Sequence, residues 1–479
     1  MKRLLFIFLG LACFGDGMST LNAQESWPLE KCIAYAQESN LTIKQAKANV
    51  RASMIAEQQA KTARLPNLSA SANLGEQFGR TIDPTTNTFR NEAIAFNSFG
   101  LNAGISLFNG GLIHNQVKQA AYDLKAAESD AKNTELTLGL QVAQAYLVVL
   151  LSEEQLEAAQ RRVELSQRQL TNTQKLVEAG SVPLAERLNI EAQISRDEQS
   201  AITAVNNLEL AFLNLKQLLQ LEPDFPLEIV RPEFTIPADA NPDAQNLPAV
   251  YAIAESQQPS VQAADYRLES AKVGVKVAQS AYWPSISGFA NLTTNYSSQF
   301  NDFGFTGETV LGDPRPVVVN GSVVAIQEFV PVTFVNAVPY FDQLDQNFGQ
   351  GIGVSMNVPI YQNGRTRLNV ERARLNIVNA ELQSTQARQQ LKNDIQTALA
   401  NARAGKRQLA AAEKAYNSFK TAYENTEKRQ TLGAANSLDL VTAKTNLDNA
   451  ENDLLVARYD YLFRLKILDF YLGKPLTLN

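Results

Sequence analysis

Hydrophobic positions along this chain follow two different periods in turn. Over about Leu112–Glu178 and about Arg365–Thr431 they recur at threes and fours, as in Leu375, Val378, Leu382, Leu391, Ile395, Ala398 and Ala402. That spacing predicts amphipathic helix. Neither stretch holds a proline, and each holds a single glycine, Gly139 or Gly405. At 1.5 Å per residue each predicts a rod on the order of 100 Å long. Each rod turns back at a glycine, LVEAGSVPL around Gly180 and RQTLGAANSL around Gly433. Glycine supplies the left-handed cap, and Ser181 or Ser437 can cap the returning helices, about Pro183–Leu221 and Asn436–Leu472. The apolar run Thr137–Leu151 is interrupted by Gln141 and Gln144 and falls short of the roughly 20 apolar residues of a membrane span. It reads as helix buried between neighbours.

Between the helices the period drops to two. In FGLNAGISLF, Phe99, Leu101, Ala103, Ile105 and Leu107 alternate with Gly100, Asn102, Gly104 and Ser106. Phe348, Ile352, Val354, Met356, Val358 and Ile360 alternate with Asn347, Gly349, Gly351, Gly353, Ser355 and Asn357. Partner strands are read at Leu68–Phe78 and Ser285–Tyr296. Strands about 10 residues long with one apolar and one small, polar face match transmembrane β-strands, although a half-buried soluble sheet gives the same alternation. Aromatic residues at the strand–loop junctions (Phe96, Phe99, Tyr296, Phe300, Phe303, Phe305, Phe348) favour the membrane reading, because aromatic girdles mark a bilayer interface. On that reading Leu101, Ile105, Leu107, Ile352, Val354 and Met356 face lipid. Four strands cannot close a barrel, and an open edge is not tolerated in lipid. Several copies of the chain must contribute.

The two sets of segments also say the same thing twice. Pro66 answers Pro284 at an offset of 218, whereas Gly111 and Gly364, like Gly180 and Gly433, stand 253 apart. One insertion of 35 residues between Pro284 and Asn363 accounts for the shift. The organisation expected is a signal peptide, 1–23; a first repeat, 24–221, with strands 68–80 and 96–108 and a hairpin at 112–221; a proline-rich linker, 222–250; a second repeat, 251–472, with strands 285–298 and 347–360 and a hairpin at 364–472; and a tail, 473–479. The loops at about Arg80–Ala95 and Gln299–Gln346 are rich in Asn, Asp, Gly and Pro, as exposed connections are.

The N-terminus reads as an export signal. Lys2 and Arg3 precede the apolar run LLFIFLGLACF, and Ala23 ends a passable cleavage site. Lipidation at Cys13 is the alternative, with Gly10 standing where an apolar residue is preferred. Removing 1–23 takes away Lys2, Arg3 and Asp16, leaving 41 basic and 48 acidic residues, net −7. An acidic chain is not a nucleic-acid partner. Past Cys13 only Cys32 remains, so packing and oligomerisation replace disulfides.

Catalytic chemistry finds no foothold in the sequence. His114 is the one histidine and reads as a polar residue at a helix start. Cys32 reads as a small buried side chain. Acidic residues read as solvated charge on helix faces, and no phosphate loop, HExxH or GxSxG motif occurs. No enzyme, cofactor or metal site is expected. A secreted periplasmic adaptor or a structural coiled-coil protein accounts for helical hairpins, but not for paired alternating strands.

The order of parts, the junctions LFNGG and IYQNG, the turn GAANSLDLV and the ending YDYLFRLKILDFYLG together resemble the TolC-type outer-membrane efflux duct family over nearly all of the mature chain. The resemblance implies a mixed α and transmembrane β fold. Three internally duplicated protomers would give a 12-stranded β-barrel in outer-membrane lipid, continued by a 12-helix α-barrel tunnel, with a mixed equatorial region where the linker forms a belt. It implies export in concert with a periplasmic adaptor and an inner-membrane transporter. The adaptor would meet the hairpin tips, Gly180, Ser181, Val182 and Pro183 with Gly433, Ala434, Ala435 and Asn436. The family's periplasmic aperture maps to Asp439, with Thr442 where a second carboxylate can stand, and to Glu186. Ordinary first-turn charges favoured by a helix N-terminus explain Asp439 and Glu186 equally.

Overall fold

The computed structural model describes residues 26–82, 87–232, 241–474 and 477. The expected signal peptide with its cleavage site after Ala23, and Cys13, lie outside the described residues, as do parts of the first loop, the linker and the tail.

The elements alternate as the two periods require. Helices α1 (Leu29–Ser39) and α2 (Leu41–Thr62) lead into β1 (Asn67–Gln77), short β2 (Arg80–Ile82) and β3 (Phe89–Asn91), and long β4 (Ile94–Asn109). The hairpin of α3 (Leu112–Glu178) and α4 (Leu184–Leu219) follows. Then come α5 (Leu247–Gln257), α6 (Pro259–Gln279), β5 (Ser285–Ser297), β6 (Asn301–Leu311), β7 (Arg315–Val319), β8 (Ser322–Ile326), β9 (Phe329–Ala337), α7 (Tyr340–Gln346) and β10 (Gly349–Asn357). The second hairpin is α8 (Arg365–Thr431) and α9 (Ser437–Tyr471). The insertion lies in the second connection, which is exposed as expected and is built as a β-ribbon from β6 to β9.

The helical segment before each strand set is broken in two. At the first break, Asn40 accepts from the Thr42 N–H (2.8 Å) and donates to Leu218 O (2.9 Å). At the second, Pro259 follows Gln258 and has no N–H to continue the ladder.

Contacts gather the described residues into two compact units, one within Met1–Arg51, Ala126–Asp265 and Gln383–Asn479, the other Ala52–Lys125 and Tyr266–Leu382. The first unit is helical. Val142, Tyr146, Val149 and Leu150 of α3 pack with Cys32, Ala36, Ile43, Leu215, Leu219, Tyr459 and Leu462. Each large aliphatic side chain so buried contributes about 1.5–3 kcal/mol. The apolar run Thr137–Leu151 therefore faces protein, as its interrupting glutamines implied. Tyr146 donates to Val230 O (2.6 Å) and Arg231 pairs with Glu153 (2.7 Å), which ties the proline-rich segment to α3. A second core joins Val250, Ala254 and Val261 to Leu391, Ile395, Leu399, Ala402 and Leu468. Beside it Arg388 grips Asp265 through both guanidinium nitrogens (2.9 and 2.8 Å) and Glu255 through Nε (2.9 Å).

The second unit is organised around an antiparallel sheet of order β1-β4-β5-β10. β1 and β10 are its outer strands. The ribbon pairs β6 with β9 and β7 with β8.

Candidate functional site: sheet faces, hairpin turns and a buried ionic seam

Register decides which side chains share a sheet face, because residues directly opposite in antiparallel strands point the same way. On one face stand Ala70, Leu101, Leu292 and, at the β10 edge, Gln350, then Leu68, Ala103, Ala290 and Ile352, then Ile105, Gly288 and Val354, then Phe108, Ile286 and Met356. The opposite face carries Ser69, Asn102, Asn291 and Gly351, then Ser71, Gly100, Thr293 and Gly349, then Ser106, Ser287 and Ser355. A bulge between Ser106 and Phe108 lets Phe108 take the place opposite Ile286. Leu107 still lies over Gly288, 3.6 Å from where a Cβ would stand. All six apolar strand positions singled out in the sequence thus share one face. Ile352 is 88% exposed and Val354 65%, so the lone chain leaves that face uncovered.

Glycine on the polar face is a packing requirement. A Cβ at Gly351 would stand 2.6 Å from Asn291 Oδ1, and one at Gly353 2.5 Å from the Phe289 ring. Phe289 and Phe96, which lies over Gly75, are large apolar side chains on this otherwise small and polar face, and the period-two reading of β10 did not reveal Phe289.

The two hairpin turns have one geometry. Gly180 and Gly433 both sit at φ +71°, where only glycine is free of the Cβ clash. Gly180 N–H donates to Val177 O (2.9 Å) and Ser181 N–H to Leu176 O (2.9 Å). Gly433 N–H donates to Gln430 O (2.9 Å) and Ala434 N–H to Arg429 O (2.8 Å). This is the Schellman pattern, which satisfies the last carbonyls of each long helix. Val182 and Ala435 are partly buried, while Gly180, Ser181, Pro183, Gly433, Ala434 and Asn436 are exposed.

Capping differs from the expectation. Ser181 caps nothing: α4 starts after Pro183, without a side-chain cap. For α9 the cap is Asn436, whose Oδ1 accepts from Asp439 N–H (2.8 Å) while Asp439 Oδ2 accepts from Asn436 N–H (3.3 Å). This reciprocal box satisfies two N-terminal donors at once. Asp439 is exposed, and Thr442 lies one turn on along the same helix face. Glu186 is partly buried, and its Oε2 has no hydrogen-bond partner. His114 is exposed in the first turn of α3, and Cys32 is fully buried. Burial pushes the Cys32 thiol up to about 12.

The reading of acidic residues as solvated fails at Asp197, which is buried beside Lys444. Lys444 is 3% exposed, and its Nζ donates to Ser166 Oγ (2.5 Å) and lies 3.4 Å from Asp197 Oδ2. Ser166 donates to Asp197 in turn, and Gln193 Nε2 donates to Asp197 Oδ1 (2.8 Å). Nearby, Arg162 reaches Asp448 Oδ1 (3.4 Å) and donates to Asp448 O (2.6 Å). Burial pushes the Asp448 carboxyl up to about 6, against the opposing pull of Arg162 and Lys444. The seam continues through Gln155–Asn452 (2.8 Å) and Tyr459–Glu154 (2.6 Å). It joins α3 and α4 of one hairpin to α9 of the other. One signal was available: Lys444 follows Leu440 by four residues and precedes Leu447 by three, a seam position in the helical pattern.

A sheet with one apolar and one polar face, carried by a chain of long helical hairpins, defines the class of outer-membrane channels with a helical periplasmic tunnel. The family model for outer membrane efflux proteins matches residues 32–220 and 250–474. The chain belongs to that family, and it is an outer-membrane efflux or secretion channel. It is 25% identical to the outer membrane protein TolC of Escherichia coli, over 100% of this chain and 87% of that one. It is 21% identical to the alkaline protease secretion protein AprF of Pseudomonas aeruginosa, over 86% of this chain and 77% of that one. In fold it is similar to the outer membrane protein VceC of Vibrio cholerae (TM-score 0.72, 18% identity, covering 94% of this chain and 99% of that one).

Proposed function

We propose that the working unit is a homotrimer of internally duplicated protomers. Three four-stranded sheets close one 12-stranded barrel, continued by a tunnel of 12 hairpin helices. The observation that carries this reading is the pair of unpartnered outer strands, β1 and β10, in a sheet with an uncovered apolar face. In lipid each bare strand edge leaves a row of backbone groups without partners, so β10 of one copy needs β1 of the next. Leu101, Ile105, Leu107, Ile352, Val354 and Met356 then face lipid, and the Ser/Asn/Gly face lines the pore.

The hairpin turns at Gly180–Pro183 and Gly433–Asn436 are the adaptor-contact tips, and an inner-membrane transporter supplies the cargo. The small side chains of both turns suit close tip-to-tip docking. Asp439 from three copies, with Thr442 one turn on and Glu186 on the other hairpin, forms the periplasmic aperture. Conduction is passive, with no bound cofactor. Native mass spectrometry of the detergent-extracted chain tests the assembly: a mass of three chains is expected, and a stable monomer with a protected barrel overturns it.

A further inference from the structure

The ribbon inserted between β5 and β10 cannot stand alone as it is built. It has two paired segments, β6 with β9 and β7 with β8, joined where Gly312 N–H donates to Glu328 O (2.9 Å). Its tip is an Asn320-Gly321 turn with φ of +50° and +80°, the pair of left-handed residues that a tight hairpin turn requires. Among the described residues, β7 has substantial packing on β8 alone, and β6 on β9 alone. Both faces of the tip segment are apolar. Val317 opposes Val324 on one face and Val318 opposes Val323 on the other. Val318 is 68% exposed and Val323 71%. An isolated two-stranded ribbon is marginal in water at best, and an apolar surface of this extent signals a partner.

The character of the ribbon narrows what covers it. From Pro316 to Gln327 there is no charged residue, so nothing repels an identical copy. Arg315 and Pro316 guard the base of β7, but the edge of β8 and the Val317–Val319 stretch of β7 carry no charge, proline or bulge to block a further strand. The corresponding connection in the first half is protected: β2 and β3 are three residues each and carry Arg80 and Arg90. The ribbon also leads through α7 directly into β10, an outer strand of the sheet. A neighbour that completes that sheet brings its own ribbon to the same rim. Tethering at one rim gives the ribbons a high effective concentration for one another, roughly millimolar for short links. Bilayer lipid is a poorer cover, because it offers no backbone partners to the bare edges.

We infer that the ribbons Asn301–Ala337 of neighbouring copies pair with one another through their β7–β8 edges and valine faces. They would form a crown over the outer mouth of the assembled barrel. This rests on the homotrimer proposed above. Pairing gives the valine faces and the strand edges their cover in one step, and it makes the crown a second lock on assembly beside the barrel.

A nitroxide at Val323→Cys in the full chain tests the pairing. Cys32 is fully buried, which leaves the new thiol as the accessible one among the described residues. Spin–spin coupling between labels is expected in the detergent-extracted trimer, with its loss when labelled chains are diluted into unlabelled ones. Uncoupled labels reached by lipid-dissolved oxygen would show the bilayer covering the ribbon. Uncoupled labels reached by a water-soluble nickel chelate would show nothing covering it. Either result overturns the pairing. Native mass spectrometry on the same sample separates the two ideas: a monomer overturns the assembly and the crown together, whereas a trimer with uncoupled labels overturns the crown alone. Removing Gly307–Pro331 should leave the trimer but lower its dissociation temperature in detergent, and an unchanged temperature also counts against the crown.

Discussion

The Lys444–Asp197 pair shows what a single residue can decide in a helical seam. At 3% and 8% side-chain exposure neither charge is solvated, so each depends on the other. Removing one member of such a pair strands the other charge, a cost of about 3–5 kcal/mol. Lys444→Ala should therefore lower the melting temperature of the purified chain markedly. Replacing the pair together, Lys444→Met with Asp197→Leu, should recover most of the loss.

Asp448 makes a prediction of opposite kind. Arg162 of α3, Asp197 of α4, Tyr423 of α8, and Lys444 and Glu451 of α9 all act on it or on its partners. Burial raises its folded-state pKa from 3.8 to about 6. The folded chain then holds that proton more tightly than the unfolded chain does. Its contribution favours folding increasingly as pH falls from about 6 towards 3.8, and the penalty is complete above about 6. Asp448→Asn should flatten this part of the profile, read as melting temperature against pH from about 4 to about 7.

For the elements, the strands and the long helices differ in how openly the sequence states them. A period of two against a period of 3.6 identified both, because each follows from backbone geometry alone. The bulge at Ser106/Phe108 and the place of Phe289 on the polar face depend on which strand lies alongside, and one strand's alternation does not record that. The sheet faces make a direct prediction. On the proposed assembly, Arg in place of Ile105 or Val354 should cost about 2–4 kcal/mol at mid-bilayer depth and reduce the assembled form in membrane fractions. Arg in place of Asn102 or Ser355 should leave assembly intact and change single-channel conductance. Equal loss from both sets would show the faces to be assigned the wrong way round.

On the scale of the whole molecule, the proposed aperture depends on what three copies bring together. Asp439 is committed to the cap of α9 with Asn436, so three copies around an axis would present carboxylates whose orientation the caps hold. Like charges so placed attract cations. Asp439→Ala should reduce cation preference and weaken block by multivalent cations in planar-bilayer recordings, with a smaller effect from Glu186→Ala. Unchanged selectivity and block would leave Asp439 as a helix-capping charge and nothing more.

By itself the sequence determined the four main strands, the two hairpins, both glycine turns and the apolar strand face. Each follows from local rules: helix and strand periods, the absence of proline over 67 residues, and glycine where φ is positive. It also carried the resemblance that the family match bears out. Only the tertiary structure decided which charges are buried, since Lys444 and Asp197 are 247 residues apart and neither local context predicts the meeting. It likewise decided that the 35-residue insertion is an ordered ribbon. Asn, Gly and Pro punctuate that segment as they do any loop, and the cross-strand pairing of its valines exists only once the chain has turned back on itself.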